Sequence, residues 1–182
     1  MEEKGYTVEY IAPQDNRAIL QDLFDKVLDR LASGLPGGAS LGPAGKVTER
    51  KDSYSCKTYL EDERGYISFS YDDYIPDFDS FEEYMHSGSA DRGRLYIDIL
   101  LDVPAGEDSI YKEAFRRIDE KERAELSYRG GKGHGEISAS RSIGIYLLSP
   151  DENDVDFIYD SVMDLWKRIR HLTDEAARLK SN

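Results

Sequence analysis

The glycine-rich run Gly130-Gly131-Lys132-Gly133-His134-Gly135 is the segment most suggestive of chemistry. A P-loop that cradles phosphates requires G-x-x-x-x-G-K followed by Ser or Thr, at the start of a helix. Here Lys132 is followed by Gly133, the upstream glycine is absent, and the next residues alternate like a strand. The segment Gly45-Lys46 fails the same test, so both segments are predicted to be turns.

Two carboxylates on one predicted strand, Asp98 and Asp102, are the next candidates. Restriction-type nucleases place an Asp on one strand and a (D/E)-x-K pair on the next, and these residues hold a metal ion for hydrolysis. No such pair follows on a neighbouring strand, so the lysine that would activate water has no candidate. The pattern favours solvent-facing carboxylates, and a metal-dependent hydrolase that uses Asp98 and Asp102 stays open as an alternative.

The remaining polar residues match no known catalytic or ligand-binding pattern. The acidic run from Asp72 to Glu83 could gather a calcium ion, but it lacks the calcium-loop spacing and the mid-loop glycine. His86, His134 and His171 have no metal-ligand spacing, and no serine lies in a G-x-S-x-G motif. The sequence therefore predicts no catalytic residue, no cofactor and no metal site.

The overall charge narrows the classes of partner. The chain has 182 residues, of which 34% are charged, and its formal net charge is −13. Affinity for nucleic acid comes chiefly from Lys and Arg that neutralise phosphates, so direct nucleic-acid binding is not expected. An acidic surface suits a basic protein partner, mimicry of DNA, or solubility alone.

Cysteine usage and hydropathy predict a cytoplasmic protein. The single cysteine, Cys56, cannot form an intramolecular disulfide, and its alternating neighbours predict a small apolar residue on a strand. The N-terminal MEEKGYTVEY lacks the basic and apolar regions of a secretory signal. No segment approaches the ~20 apolar residues that cross a bilayer, so no membrane partner is expected.

Hydrophobic periodicity predicts one helix and several strands in the N-terminal half. Asp15 or Asn16 is expected to cap a helix that ends before Gly34, because apolar residues between them recur at helical spacing. The Gly- and Pro-rich segment 34–46 has no periodic apolar face and is predicted to be a mobile, dispensable loop. The other expected elements are an edge strand over 6–11, strands around 52–60 and 65–71, and a short helix with the capping pair Ser80 and Glu83.

The C-terminal half contains the strongest strand and the longest helix. In residues 93–103, every second residue from Leu95 onward is apolar, which is typical of a half-buried strand. A charged helix is expected over 109–126. A strand over 136–148 and a helix over 151–179 follow, and the helix begins with the capping pair Ser149 and Glu152.

These elements predict a single α+β domain over residues 1–182, with an antiparallel or mixed β-sheet, helices packed on it and a long C-terminal helix. The apolar faces of the first helix and of the strands at 93–103 and 136–148 are expected to share one core.

The end of the last helix is the candidate interaction surface. Apolar residues keep a heptad spacing from Val155 to Leu179, and a helix over 151–179 would be about 43 Å long. Its last apolar residues are therefore expected to find no core in their own chain and to bind a partner, most simply a second copy. Packing on the first helix or the sheet is the alternative. This C-terminal stripe consists of Ile169, Leu172, Ala176 and Leu179.

Residues 93–170 also resemble a known family. The strand Arg94-Leu95-Tyr96-Ile97-Asp98 leads into a charged helix, and the strand segment Arg141-Ser142-Ile143 and a helix bearing Trp166 follow. This pattern resembles an uncharacterised prokaryotic family of α+β domains that is often found at the C-terminus of restriction-endonuclease-like proteins. The resemblance implies an accessory or interaction module near nucleases or defence systems, and it provides no catalytic residues to carry over.

Two classes of function follow. The first is a non-catalytic protein-interaction or regulatory protein, accessory to a prokaryotic nuclease or to a defence or counter-defence system; an acidic inhibitor that mimics DNA is a variant of it. The second is the metal-dependent hydrolase. Titration with magnesium, manganese and calcium would separate them, because bound metal should stabilise a hydrolase.

Overall fold

The computed structural model describes residues 15–51, 53–61, 64–72, 92–131, 134–146 and 152–181. Within these ranges an antiparallel six-stranded sheet, in the order β1-β2-β3-β4-β6-β5, packs against helices. This arrangement, with its long C-terminal helix, confirms the predicted α+β fold class. In chain order the elements are α1 (Asn16–Ala32), β1 (Thr48–Arg50), β2 (Ser53–Tyr59), β3 (Gly65–Asp72), β4 (Arg92–Val103), α2 (Asp108–Arg117), α3 (Glu120–Arg123), β5 (Leu126–Gly131), β6 (His134–Tyr146) and α4 (Glu152–Ser181).

One face of the sheet, called the inner face, carries the apolar side chains that the helices cover. On β4, every second side chain from Leu95 to Val103 is buried, as the alternation predicts. The register continues this apolar row across the sheet, since Ile99 lies opposite Ile67 of β3 and Ala139 of β6. The opposite side chains form the outer face.

Helix α1 begins and ends where the sequence predicts. The Asp15 side chain accepts a hydrogen bond from the Ala18 N–H at 3.1 Å, and the helix ends at Ala32, before Gly34. Its Phe24 ring stacks on Phe69 of β3 with ring centroids 4.8 Å apart. The buried residues of α1, β4 and β6 belong to one cluster, which confirms the predicted shared core; the side chains of Ile145 and Leu147 lie outside the described residues.

Helix α4 has 30 residues and lies on the sheet between α1 and α2. Its heptad residues face inward along almost their whole length. In the C-terminal stripe, Ile169, Leu172 and Ala176 are fully buried and Leu179 is partly buried against the same core. The expectation that these residues find no core in their own chain is therefore wrong, because α2 extends the packing surface to the end of α4. The homodimer remains a prediction, but an exposed C-terminal stripe no longer supports it.

The segment between β4 and β6 differs from its prediction. The helix expected over 109–126 ends at Arg117, because Ile118 adopts an extended conformation. Asp119 then caps the short helix α3 by accepting a hydrogen bond from Lys121 N–H at 3.0 Å. The chain continues as β5, a strand that the sequence patterns did not predict. The Tyr128 hydroxyl of β5 donates to the Asp108 side chain and thereby ties the new strand to α2.

The predicted loop 34–46 has extensive contacts. Trp166 Nε1 of α4 donates to the Pro36 carbonyl at 2.9 Å, and the buried side chain of Leu35 joins the core. The Gly45 carbonyl accepts from the thiol of Cys56, a buried strand residue as predicted. Mobility stays a prediction, but these contacts lead us to expect an ordered loop rather than a dispensable one.

Several expected features lie outside the described residues. They are the edge strand over 6–11, the capping residues Ser80, Glu83 and Ser149, the acidic run after Asp72, and His86.

We predict that Ile99→Ala lowers the free energy of unfolding by roughly 2–5 kcal/mol, since it leaves a cavity in the centre of the core. Leu100→Ala, on the adjacent but opposite-facing residue, is the control. Leu100 is only half-buried, so its truncation should cost clearly less. Equal losses for the two variants in urea denaturation would contradict the assignment of the two faces.

We also predict that Gly45→Ala destabilises the protein by about 1–3 kcal/mol. An added Cβ at Gly45 would lie 2.1 Å from the Lys57 carbonyl oxygen, so the backbone must shift. Gly34→Ala is the matched control from the same loop, because nothing lies within 4 Å of its added Cβ. If both variants unfold at the wild-type urea concentration, the loop contacts do not contribute to stability.

Candidate functional site

The two carboxylates proposed for metal-dependent hydrolysis lie on the outer face of β4. Asp102 lies four positions after Asp98 on the same strand, which places their Cα atoms about 13 Å apart at ~3.3 Å per residue. Asp98 accepts a hydrogen bond from the Ser140 hydroxyl at 2.6 Å, and Asp102 lies 3.7 Å from His134 Nε2. Their spacing does not let both carboxylates bind one ion.

The other residues considered for metal binding are also separated. Among the described residues, no group of three or more His, Cys, Asp or Glu side chains is arranged to hold a metal ion. His171 Nδ1 lies 2.7 Å from Glu122 Oε2, at the opposite side of the sheet from the exposed His134.

No helix of the described chain is both long enough and apolar enough to cross a membrane.

Three neighbouring rows of side chains on the outer face consist mainly of serine and tyrosine. The strand register aligns them in cross-strand rows. One row runs from Ser55 through Ser70 and Tyr96 to Ser142, and the next contains Lys57, Ser68, Asp98 and Ser140. The third row consists of Tyr59, Tyr66, Leu100, Ser138 and Ser127.

An aromatic corner, formed by Lys57, Tyr59 and Tyr66, lies at one edge of the outer face. Lys57 Nζ lies 3.8 Å from the centre of the Tyr66 ring, and the Tyr66 and Tyr59 rings meet edge to face with centroids 6.1 Å apart. The cation–π contact and the ring contact hold these side chains in place. Tyr59 nevertheless remains 62% exposed, so a large, oriented aromatic surface faces solvent.

A charged cluster interrupts the apolar inner face. Arg141 of β6 lies opposite Ile97, at a position where its neighbours on the same face are apolar. Its guanidinium donates to both carboxylate oxygens of Glu125, at 2.7 and 2.6 Å, and to Asp164 of α4 at 2.5 Å. Arg168 Nε lies 3.3 Å from each of these carboxylates. We call these four residues the Arg141 cluster.

The Arg141 cluster has clear electrostatic consequences. The hydrogen bond from Arg141 keeps the pKa of Glu125 and the pKa of Asp164 below their ordinary values. Arg168 Nη1 also donates to the carbonyl oxygens of Lys121 and Glu122, at 3.1 and 3.3 Å. The cluster therefore fastens α3 and β5 to α4 and neutralises the charge of Arg141.

Two cavities lined by described residues lie beside the helices. The larger, of about 550 Å³, is at the end of β4 against α2 and α4, with apolar walls that include Leu101 and Tyr111. Its polar rim carries two Arg and two Asp residues, so charge does not select a ligand class there. The smaller, of about 310 Å³, lies between α3 and α4 beside the Arg141 cluster.

The sequence contained signals for the Arg141 cluster and for the outer face. Arg141 occupies an inward position in the alternation of β6, and a charged residue at such a position requires partners. The prediction for that face rested on its apolar residues alone. The outward serines of β2, β3 and β6 also alternate in the sequence, but their alignment depends on strand order.

No protein-family model and no curated protein matches this chain. Its class is therefore given by the fold and the surfaces described above: an antiparallel α+β domain with helices packed on the inner face of the sheet.

We predict that Arg141→Met lowers the free energy of unfolding by about 1.5–3 kcal/mol at pH 7, because it leaves two carboxylates without their main partner. In the wild type, the stabilisation from the Arg141 ion pairs is complete above the pKa values near ~4 that the two carboxyl groups have in the unfolded chain. It is lost as the pH falls through their lower pKa values in the folded protein. The difference between variant and wild type should therefore shrink below about pH 4 in urea denaturation.

Arg117→Met is the control for this prediction, because Arg117 forms an exposed helical pair with Glu113 at 3.0 Å. Its loss should cost only about 0.3–0.5 kcal/mol. Equal costs for the two variants, or a difference at Arg141 that persists unchanged at acid pH, would contradict the role given to the cluster.

Proposed function

We propose that this chain is a non-catalytic protein-interaction module that binds a protein partner through the outer face of its sheet. The observation that carries the proposal is the alignment of serine and tyrosine side chains in rows across five strands, with Tyr59 62% exposed. No described helix packs on these rows.

Serine and tyrosine are the residues in which the protein-binding loops of antibodies are enriched. Tyrosine provides a large contact area with few rotatable bonds, and serine provides adaptable hydrogen bonds. Tyrosine is also enriched in the residues that contribute most binding energy. The fixed ring pair of Tyr59 and Tyr66 reduces the entropy lost on binding, which further supports an interface at this corner.

The charges of the outer face support a protein partner more than mimicry of DNA. Lys57, Arg94 and Arg129 are interspersed with Asp98 and Glu136, so both signs occur among the outward positions. A mimic of DNA would need a continuous acidic surface. Much of the net negative charge instead lies in the sequence between residues 73 and 91, which contains acidic residues but no Lys or Arg.

The resemblance of residues 93–170 to nuclease-associated domains suggests the first partner to test. A nuclease subunit encoded near this protein, or acting with it in defence, would place the chain as a separate accessory or regulatory subunit. The proposal itself depends on the outer face and not on that resemblance.

We predict that a photo-crosslinking amino acid at Ser55 or Ser142 captures one and the same protein in the cells that make this chain. The control position is Asp29 on α1, which is exposed on the helix side. Capture of that protein from Asp29 alone would move the interface to the helices.

With the purified partner, Tyr59→Ala should raise the Kd at least tenfold, since a central tyrosine contributes roughly 2 kcal/mol or more to such interfaces. Phe157→Ala is the matched control: Phe157 is the other large exposed apolar side chain of the described chain and lies on α4. Isothermal titration calorimetry measures both. Loss of affinity for Phe157→Ala but not for Tyr59→Ala would refute the proposal.

A further inference from the structure

The smaller cavity on the helix side carries a second inference, independent of the outer face. It is lined by Lys121 and Glu122 of α3 and by Asp164, Lys167, Arg168 and His171 of α4. We call it the α3–α4 pocket. Its volume of about 310 Å³ is at the lower end of the range that holds small organic ligands.

The two acidic side chains of the α3–α4 pocket each lie beside a basic residue. Asp164 accepts hydrogen bonds from Arg141 at 2.5 Å and from Arg168 at 3.3 Å. Glu122 Oε2 lies 2.7 Å from His171 Nδ1, an ion-pair distance without hydrogen-bond alignment. The charge of Asp164 is therefore offset within the Arg141 cluster, and the Glu122 carboxylate lies beside the imidazole of His171.

The lysines of the pocket are in the opposite situation. Lys121 and Lys167 are exposed, and neither ammonium group forms an ion pair with a described residue. They line the pocket without a salt-bridge partner among the described residues, in a chain whose net charge is −13.

Arg168 adds a donor that is fixed in direction. Its Nε is held by Asp164 and Glu125, and its Nη1 donates to the carbonyl oxygens of Lys121 and Glu122. The Nη2 group makes no hydrogen bond to a described residue. A guanidinium that is already oriented loses little entropy when it binds an oxyanion.

We propose that the α3–α4 pocket binds the phosphate group of a small phosphate monoester. Two ammonium groups and the Nη2 donors of Arg168 can surround the oxygens of a dianion with charge-assisted hydrogen bonds. The volume of the pocket leaves room for the organic part of the ester. The negative charge of the whole chain slows the approach of anions but does not cancel the local donors.

The test is a titration with glycerol 3-phosphate, followed by ¹H–¹⁵N NMR at constant ionic strength. Backbone amides of α3 and of α4 around residues 164–171 should shift and saturate. Lys121→Gln and Lys167→Gln should each weaken binding about tenfold, the effect of one charge-assisted hydrogen bond. Arg168 is left intact, since its replacement would disturb the Arg141 cluster.

Lys112→Gln is the matched control, because Lys112 is an exposed lysine of α2 away from the pocket. It changes the net charge equally and should leave the affinity unchanged. Shifts that do not saturate, or equal weakening by all three variants, would overturn the site, because either result indicates general charge attraction. A titration with inorganic phosphate tests whether the organic part of the ester contributes to binding. If inorganic phosphate binds more weakly than glycerol 3-phosphate, the ligand is a monoester. Equal affinities would overturn the assignment to a monoester.

Discussion

Burial of the apolar stripe of α4 on the inner face of the sheet is the interaction on which the other features depend. The fully buried side chains of Ile158, Leu165, Trp166 and Leu172 belong to the same core as the apolar rows of β4 and β6, the strands that α4 contacts. Burial of large aliphatic and aromatic side chains contributes on the order of 1.5–3 kcal/mol each. Because α4 extends across the sheet, α1 and α2 must lie on either side of it, and loop 34–46 contacts it through Pro36.

This packing also determines where charge is placed. Arg141 lies on the inner face beneath α4, where a lone guanidinium would be costly. Glu125 and Asp164 neutralise it with short hydrogen bonds, and Arg168 links the same carboxylates to the end of α3. One charged residue in an apolar row therefore explains why α3 is held against α4. The α3–α4 pocket follows from the same contacts.

The two faces of the sheet have different roles. The helices use the inner face for stability, so the outer face can carry serine and tyrosine without loss of core packing. On this face, Tyr59 and Tyr66 contact each other edge to face, and the ammonium group of Lys57 lies over the Tyr66 ring. These contacts order the three side chains, since no described helix covers them. The proposed partner and the proposed phosphate ligand would thus bind on opposite sides and could act together without competing for surface.

Local patterns in the sequence were sufficient for α1, for β2 to β4 and for α4, because helical and strand periodicities depend on neighbouring residues. They predicted the shared core and the burial of Cys56. They did not predict β5, whose Ser, Arg and Gly residues form a strand through pairing with β6 and the Tyr128–Asp108 contact. The heptad spacing of α4 showed that Ile169 and Leu172 would be covered, but only the tertiary structure decided that their own chain covers them. The rows of the outer face and the partners of Arg141 join residues far apart in sequence, and no local pattern determines such distances.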